Sequence, residues 1–593
     1  MKTKPGRPLR ILGLLSPFLV VPGPTGTAAG LQEPLPPEAA AGVPQAEAPA
    51  HREVWIPMRD GRRLAATLRL PSADPGAGPW PVVLVQTPYG REGLGRVAST
   101  EAGEAARGSA RALEILDQEE TAWLFVDWRG FHGSREAALP ARERLGWSRG
   151  RDGYDCVEWA ARQPWCNGRV ATWGGSALGK QQFDTAAEQP PHLVAAVPLI
   201  AYQGMRYASF YEGGVLLDYH VRTLDLLGFG VGARVRSNRD PDAAIWQWLQ
   251  RRTWHPEKIQ VPCLLVSGWW DHFPGEVIEQ WQTLREEGQG RARESRLILG
   301  PWTHTRVDLA EQGVLRFPGA ADFSSLQTRA FLERELLGRA APEEAQPAPI
   351  TVFQAGASGR GAWVSGASWE SLTGPLTAWS LLPDGRLHPG ASFPEGGPGR
   401  AFAYDPRRPA PTLGGRNLPP LDAGPAWLDP LLERQDVLLW EGPVLEQPLA
   451  VRGTPELHIC IQADAPDVDL NVRLADRLPD GRLVLIREGI QRASLQPGPE
   501  RRLLRPEETR ELRVRLAPLA WTWEAGHRLA LVLTGGSFPR YEPNPQNGDP
   551  SWSAEGARRA RIHLPLRPEA PAILYLPRVP VPEPVETGAP NPR

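Results

Sequence analysis

Between residues 81 and 300 the hydrophobic positions form short continuous runs, separated by segments in which they recur at helical spacing. The runs are rich in Val, Leu and Ile and comprise Pro81–Gln86, Thr121–Asp127, Val170–Trp173, Val194–Pro198, Val261–Gly268 and Arg296–Gly300. The intervening spacing predicts helices, for example over Gly153–Gln163 and Pro274–Glu287. Strands that are apolar on both faces and alternate with helices are typical of a mainly parallel sheet covered on both sides. We therefore predict an α/β domain.

The pattern changes twice further along the chain. From Tyr202 to about Pro256 aromatic residues recur at helical spacing, which predicts a helical insertion lying as a cap over the carboxyl ends of the strands. After residue 347 short alternating stretches separated by Pro and Gly turns indicate an antiparallel β-sandwich. These stretches are Ile350–Phe353, Ala378–Leu382, Glu456–Gln462, Asp469–Leu474, Leu483–Glu488, Glu511–Leu516 and Arg528–Leu533. The predicted organisation is an α/β domain over residues 51–201 and 257–347, a cap over 202–256, an all-β domain over 348–577 and a Pro-rich tail over 578–593.

The first 50 residues are predicted to lie outside the folded part of the chain. A basic start, an apolar run over Ile11–Val21 and small residues around Ala28 are typical of a signal peptide, which we expect to be cleaved after Ala29. A Pro- and Ala-rich linker over residues 30–50 follows. The apolar run is far shorter than the ~20 residues that a membrane span needs. We therefore expect a secreted or periplasmic protein without a permanent membrane span.

Charge and cysteine content narrow the choice of partners. The chain has 66 Lys and Arg against 68 Asp and Glu, and its arginines are scattered, so no nucleic-acid partner is expected. The four cysteines lack the short paired spacing of a zinc site, and no cofactor or metal is predicted. A disulfide between Cys156 and Cys166 stays open, as does a homo-oligomer.

A serine lies where one of the predicted strands ends. The run Val170–Trp173 leads directly into Gly174-Gly175-Ser176-Ala177-Leu178-Gly179, and a helical pattern follows. A strand, a tight turn of small residues bearing a serine, and a helix together predict a nucleophile elbow. The usual motif is Gly-x-Ser-x-Gly, whereas here the second glycine comes one residue late. On this motif alone, a serine that only caps the helix is an equal alternative.

An acid and a histidine follow later strands in the order that this chemistry uses. Asp271 comes just past Val261–Gly268, and His304 comes just past Arg296–Gly300. The chain order Ser, Asp, His at the carboxyl ends of parallel strands is that of α/β-hydrolases. We predict that His304 is the general base for Ser176 and that Asp271 orients it. His272 is the rival base, but an acid is poorly placed to orient the side chain of its immediate neighbour.

Two groups are candidates for stabilising an oxyanion. The backbone N–H of Ala177, the residue after the serine, is one. The hydroxyl of Tyr89 is the other, because this residue follows the strand Pro81–Gln86 in the loop where such folds supply their second donor. The alternative for Tyr89 is a tyrosine that only packs within its loop.

With these residues in view, the chain resembles the cocaine esterase and X-Pro dipeptidyl-peptidase family of serine hydrolases. The motifs that carry the resemblance are Thr87-Pro88-Tyr89, Asp127-Trp128-Arg129-Gly130, Gln163-Pro164-Trp165-Cys166-Asn167-Gly168, the serine turn with its late glycine, Gly268-Trp269-Trp270-Asp271 and Gly300-Pro301-Trp302-Thr303-His304. The resemblance implies an α/β-hydrolase domain with a cap, followed by an all-β jelly-roll (galactose-binding-like) domain. It also implies Ser176, Asp271 and His304 as the triad, with Tyr89 and the Ala177 N–H as oxyanion donors.

The resemblance leaves the substrate open among three hypotheses. We expect an ester with an apolar or aromatic acyl group as a small-molecule substrate. An amide, cleaved by an X-Pro dipeptidyl-peptidase or acylase activity of the same triad, is the alternative. A noncatalytic carbohydrate-binding protein is the second alternative. His272, Phe273 and Pro274 follow the acid where related amino-acid ester hydrolases have carboxylates, which argues against an amino-acid ester.

Overall fold

The computed structural model describes residues 50–74, 77–91, 112–116, 119–140, 143, 147–339, 347–391, 393, 398–496 and 500–583. The predicted signal peptide and nearly all of the predicted linker lie outside these residues. The first strand begins at Ala50, next to the predicted start of folding at residue 51.

A sheet of eight strands forms the centre of the first half of the molecule. The first ten strands are β1 (Ala50–Pro57), β2 (Arg63–Leu70), β3 (Trp80–Thr87), β4 (Ala122–Asp127), β5 (Cys166–Gly175), β6 (Leu193–Leu199), β7 (Tyr211–Glu212), β8 (Val215–Leu216), β9 (Leu264–Trp270) and β10 (Arg296–Thr303). The order across the sheet is β1-β2-β4-β3-β5-β6-β9-β10, antiparallel for the first two pairings and parallel thereafter. The parallel strands are buried along most of their length, which explains their continuous apolar runs.

Helices lie beside this sheet and fill the region predicted to be the cap. They are α1 (Arg149–Ala161), α2 (Ala177–Ala187), α3 (Asp218–Leu226), α4 (Gly232–Arg236), α5 (Ala244–Thr253), α6 (Pro274–Glu287) and α7 (Phe323–Glu335). Helix α6 has the bounds that its sequence pattern predicts, and Pro274 occupies its first turn, where a missing N–H costs nothing. The three helices α3 to α5 and the β7–β8 hairpin lie in the predicted cap and share a core around Phe210, Tyr211 and Trp246.

The described part of the chain from residue 348 onward consists mainly of strands, and its helices are short: α8 (Trp369–Leu372), α9 (Asp429–Leu432) and a 3-10 turn over Ala493–Leu495. After a small hairpin of β11 (Glu311–Gln312) and β12 (Leu315–Arg316), its strands are β13 (Ile350–Gly356), β14 (Gly361–Gly366), β15 (Leu376–Leu381), β16 (Leu387–Pro389), β17 (Arg400–Tyr404), β18 (Leu438–Glu441), β19 (Leu449–Gly453), β20 (Glu456–Ala463), β21 (Asp469–Arg477), β22 (Leu483–Arg492), β23 (Arg510–Arg515), β24 (Leu519–Trp523), β25 (Arg528–Thr534), β26 (Ala560–Leu564) and β27 (Ala572–Val579). The fold is therefore an α/β-hydrolase followed by a C-terminal all-β domain. Strand β27 ends at Val579, two residues beyond the predicted end of this domain.

Two sheets of the C-terminal domain pack face to face. One is the four-stranded sheet β18-β25-β21-β22, and the other contains β24, β19, β27 and β20. Trp521 and Trp523 on β24 bridge them, because their indole N–H groups donate to Asp476 Oδ2 at 3.2 Å and to the Ala475 carbonyl at 3.0 Å. Along β20 buried positions alternate with more accessible ones, as expected for a strand with one face in the core.

The boundary between the two domains is less sharp than the sequence pattern indicates. We predict the all-β domain from residue 348, yet its first strand, β13, is a parallel partner of β10 and so extends the central sheet. Strand β13 also pairs with β14 and β24 on the C-terminal side. A single-sequence pattern cannot place such a strand, because pairing partners are distant in the chain.

Candidate active site

Ser176 lies in a sharp turn between β5 and α2. Its backbone has φ 57° and ψ −120°, a conformation that a residue with a side chain rarely adopts and that costs about 1–3 kcal/mol. The backbone N–H of Ser176 donates to the Leu199 carbonyl at 2.9 Å, which fixes the turn against β6. The side chain makes no capping hydrogen bond to α2. The hydroxyl is therefore presented outward instead of serving as a helix cap.

The late glycine of this turn has a clear structural reason. A Cβ on Gly179 would lie 2.6 Å from the Ala201 Cβ and 3.0 Å from the Leu199 carbonyl oxygen. Helix α2 thus crosses the end of β6 so closely at residue 179 that no side chain fits there. Leu178, which takes the place of the usual second glycine, is itself buried.

The structure brings the serine, the histidine and the acid together. His304 follows β10, and its Nε2 lies 3.0 Å from the Ser176 Oγ. Its Nδ1 lies 2.7 Å from Asp271 Oδ1. Because the carboxylate can only accept, Nδ1 carries the proton and Nε2 is free to accept the serine proton. A hydroxyl, an imidazole and a carboxylate from the ends of β5, β10 and β9 form one hydrogen-bonded line.

Asp271 is fully buried and has further hydrogen-bond partners of its own. The Ser267 hydroxyl donates to Oδ2 at 2.6 Å, and the backbone N–H of His272 donates to Oδ1 at 2.6 Å. These donors hold the carboxylate in place beside His304. Ser267 is a site residue that our reading of the sequence missed, although a lone hydroxyl within the apolar β9 run was a signal.

His272, the rival base, does not face the serine. Its Nδ1 lies 3.2 Å from the Arg416 carbonyl oxygen, and it contacts Asp271 only through its backbone N–H. The imidazole that lies between the acid and the hydroxyl is therefore that of His304.

Tyr89 lies against the serine, in the loop that follows β3. Its hydroxyl lies beside the Ser176 side chain and the backbone N–H of Ala177, although 45% of the residue's surface is exposed. Burial raises the pKa of Tyr89 above its ordinary value, and the neighbouring Ser176 hydroxyl and Ala177 N–H oppose this in part. The phenol stays protonated at neutral pH. Two donors, an O–H and an N–H, thus converge beside the serine oxygen.

The loop bearing Tyr89 is held by groups that the sequence motifs did not single out for this role. His132 Nε2 donates to the Pro88 carbonyl at 2.9 Å. The backbone N–H groups of Arg91 and Gly133 donate to the two carboxylate oxygens of buried Asp127, at 2.8 Å and 3.0 Å. The strand-end aspartate therefore ties two loops together at the edge of the site.

The sequence also raised the questions of a disulfide, a metal site and a membrane-spanning helix. The four cysteines are free thiols, and Cys156 and Cys166 are not joined. Among the described residues no cluster of His, Cys, Asp and Glu has the arrangement of a metal site. In that same part of the chain no helix is long and apolar enough to span a membrane.

Comparison with known families decides the class of protein. The model of the X-Pro dipeptidyl-peptidases (S15 family) matches residues 60–246 and 233–306, and the model of the X-Pro dipeptidyl-peptidase C-terminal non-catalytic domain matches residues 350–572. The chain belongs to the S15 family of serine hydrolases. Its match spans Ser176, Asp271 and His304, and the two models together cover most of the chain. As expected from the sequence motifs, this member of the S15 family is an enzyme, a serine hydrolase.

Individual relatives of this serine hydrolase match it over most of their length and most of its own. Cocaine esterase of Rhodococcus sp. strain MB1 Bresler is 26% identical over 559 residues, which cover 84% of this chain and 92% of the relative. The crystal structure of an aminopeptidase from a marine sediment archaeon (Thaumarchaeota) superposes with a TM-score of 0.75 at 21% identity, covering 91% of this chain and 98% of that one. An α-amino acid ester hydrolase gives 0.72 at 21% identity, with the same coverage. At these identities the two structures establish the fold.

Proposed function

We propose that this serine hydrolase cleaves carboxylic esters with an apolar or aromatic acyl group through an acyl-enzyme on Ser176. The observation that carries the proposal is the hydrogen-bonded line from Ser176 Oγ through His304 to Asp271, with distances of 3.0 Å and 2.7 Å. A serine hydroxyl is a weak nucleophile at neutral pH unless a base removes its proton during attack.

In the first half of the reaction the Ser176 oxygen attacks the ester carbonyl carbon while its proton passes to His304 Nε2. The negative charge that develops on the carbonyl oxygen is stabilised by the Tyr89 hydroxyl and the Ala177 N–H. Asp271 stabilises the imidazolium, which then gives its proton to the leaving alcohol as the carbon–oxygen bond breaks. In the second half, water attacks the acyl-enzyme with His304 again as base, and the acid product and free serine result.

Cleavage of an amide by the same residues is the second candidate, because the family model that matches is that of X-Pro dipeptidyl-peptidases. The two activities differ in their leaving group, since an amine must be protonated before it departs. Rates on a 4-nitrophenyl ester and on an X-Pro 4-nitroanilide separate them. We expect turnover of the ester to be faster by orders of magnitude, and exclusive cleavage of the anilide would overturn the proposal.

The role of the serine has its own test. An aryl organophosphonate should label the wild-type enzyme at Ser176, as located by peptide mass spectrometry, and Ser176→Ala should remove the label. Ser358→Ala, in an exposed loop of the C-terminal domain, is the matched control and should label like wild type. Labelling that persists in Ser176→Ala would refute this assignment.

We also propose that residues 1–29 direct export of the enzyme, on the basis of the basic, apolar and small-residue segments at its start. Expression of the full chain should yield a mature protein that begins at Gly30 outside the cytoplasm. Recovery of the intact chain in the cytoplasm alone would contradict this.

A further inference from the structure

Two buried imidazoles stack on each other beside the triad. His220 lies on the cap helix α3 and His272 follows Asp271, with ring centroids 4.2 Å apart and planes 29° from parallel. Only 7% and 6% of their surfaces are exposed. The Phe273 ring contacts both of them and also His304, at centroid distances of 5.9, 4.7 and 6.0 Å. The histidine pair is therefore separated from the triad imidazole by a single aromatic ring.

Each imidazole has a buried nitrogen without a hydrogen-bond partner in the described part of the chain. His272 Nδ1 donates to the Arg416 carbonyl, which can only accept, so His272 Nε2 bears a lone pair and no proton. This Nε2 and the Nδ1 of His220 are both buried and have no hydrogen-bond partner in the described part of the chain. An unpaired buried polar atom is costly, and in native proteins it commonly marks a place for water or a ligand.

Both imidazoles are neutral at physiological pH. Burial, followed by the charges of His304, Lys180 and Arg540, lowers the pKa of His220 to about 3. Burial, His220 and the guanidinium groups of Arg540 and Arg416 hold the pKa of His272 well below its ordinary value. A pair of this kind accepts and donates hydrogen bonds without carrying charge.

The charged groups around the pair favour a neutral occupant. Glu212 is already bound by Arg416 at 2.7 Å, by Arg540 at 3.2 Å and by the Tyr541 hydroxyl at 2.8 Å. Because the Glu212 carboxylate is already engaged by these groups, it would not neutralise an incoming ammonium group. The two arginines would repel that group. The nearby Glu276 has a pKa that burial raises, which weakens its hold on a cation.

The two stacked imidazoles line a small pocket between three parts of the molecule. Its other walls are Leu217 and Tyr219 from the cap, and Asn417, Leu418 and Arg540 from the C-terminal domain. Leucine and aromatic surfaces beside a few convergent polar groups are found in small-molecule sites. A hydroxyl suits such a pair of nitrogens, because its hydrogen can bond to His272 Nε2 while its oxygen accepts from His220 Nδ1 in the tautomer that carries the proton there.

We propose that this pocket is a specificity subsite for the acyl group and that it takes a neutral hydroxyl, carried on an aromatic acyl ring, between His220 and His272. The inference rests on the proposed function, since it assumes that Ser176 is acylated next to the pocket. In the free enzyme the same position suits one water molecule, which the substrate hydroxyl replaces.

The test compares kcat/KM for the 4-nitrophenyl esters of phenylacetic, 3-hydroxyphenylacetic and 4-hydroxyphenylacetic acid. We expect at least one hydroxylated ester to exceed the parent about tenfold, the value of a well-placed hydrogen bond or two. His220→Phe and His272→Phe keep the stacked rings but remove the nitrogens, and each should reduce this preference to within about twofold. His388→Phe, at an exposed position of the C-terminal domain, is the control and should keep it.

The readout is a ratio of two rates on one protein, so it does not depend on how much of a variant folds. If the histidine variants yield no folded protein, inhibition of wild type by the three free acids should show the same order. An equal rate for all three esters, or a preference that both variants retain, would overturn the proposal and leave the pocket as a site for structural water.

Charged analogues sharpen the test. The ester of 4-(aminomethyl)phenylacetic acid, which carries an ammonium group, should react at least about tenfold more slowly than its hydroxylated counterpart. A faster reaction would overturn the proposal in favour of a cation site at Glu276. Failure of the proposed function is distinguishable from all of these outcomes, because the enzyme would then neither hydrolyse any of the esters nor react with the phosphonate.

Discussion

Replacing Tyr89 by Phe isolates one of the two oxyanion donors. The change removes a single oxygen, which in the structure lies beside Ser176 and the Ala177 N–H, and it alters no atom of the triad. One donor of two remains, so the transition state should lose about 2.7–4 kcal/mol, or 10²–10³ in kcat. KM should change little, since the charge on the oxygen develops only during attack.

The assay is kcat and KM on a 4-nitrophenyl ester, with active sites counted by phosphonate titration. Tyr575→Phe on β27 is the matched control, and it should keep the wild-type kcat because it lies in the C-terminal domain. Since the pKa of Tyr89 is raised, the phenol should remain a donor through neutral and mildly alkaline pH. A normal kcat in Tyr89→Phe, with all sites titrating, would refute the assignment of this hydroxyl to the oxyanion.

The support of Tyr89 by His132 can be tested in the same assay. His132→Ala removes the hydrogen bond to the Pro88 carbonyl and should lower kcat about three- to tenfold with little effect on KM. In the double variant with Tyr89→Phe this extra loss should disappear, because the loop then has no donor to position. Fully multiplicative losses would show that His132 acts elsewhere.

Three further results are expected. Ser176→Ala should reduce turnover by about 10⁴–10⁶, measured on the same ester, and activity within tenfold of wild type would contradict the triad. Asp271→Asn should lower kcat by about 10⁴ because the amide favours the wrong imidazole tautomer, and a small effect would show that Ser267 and the loop orient His304 without it. In the folded protein the pKa of His220 is lowered to about 3, so this imidazole stays neutral between pH 7 and 5. In the unfolded chain the same imidazole takes up a proton over this range, and the free energy of unfolding therefore falls. Denaturant unfolding should show this loss to be about 2 kcal/mol smaller in His220→Phe, and equal losses would contradict it.

Much of the hydrolase half was predictable from local pattern. Continuous apolar runs found the parallel strands, and proline in the first turn with regular spacing found α6 to the residue. The hairpin of β1 and β2 was not assigned as strands, because exposed charged residues and small alanines break up its run of large apolar side chains. Short strands with mixed patterns are specified by their partners more than by their own residues.

At the candidate site, Ser176, Asp271 and His304 could be chosen from their order in the chain and from their positions just after predicted strands. The structure brings these three residues into contact. Ser267, His132 and His220 could not be found in the same way. Ser267 acts through Asp271, His132 through a backbone carbonyl, and His220 reaches the site from the cap. Each depends on side-chain geometry between elements, which spacing along the chain does not encode.

Strand β13 has a consequence for anyone who wishes to shorten this enzyme. Ending the chain before residue 348 would strip β10 of its neighbour and leave a bare row of backbone donors and acceptors, the kind of edge that recruits other chains. It would also delete the wall of the small pocket that Asn417, Leu418 and Arg540 supply. The C-terminal domain therefore completes both the central sheet and the pocket. The smallest active fragment should be close to the whole folded chain.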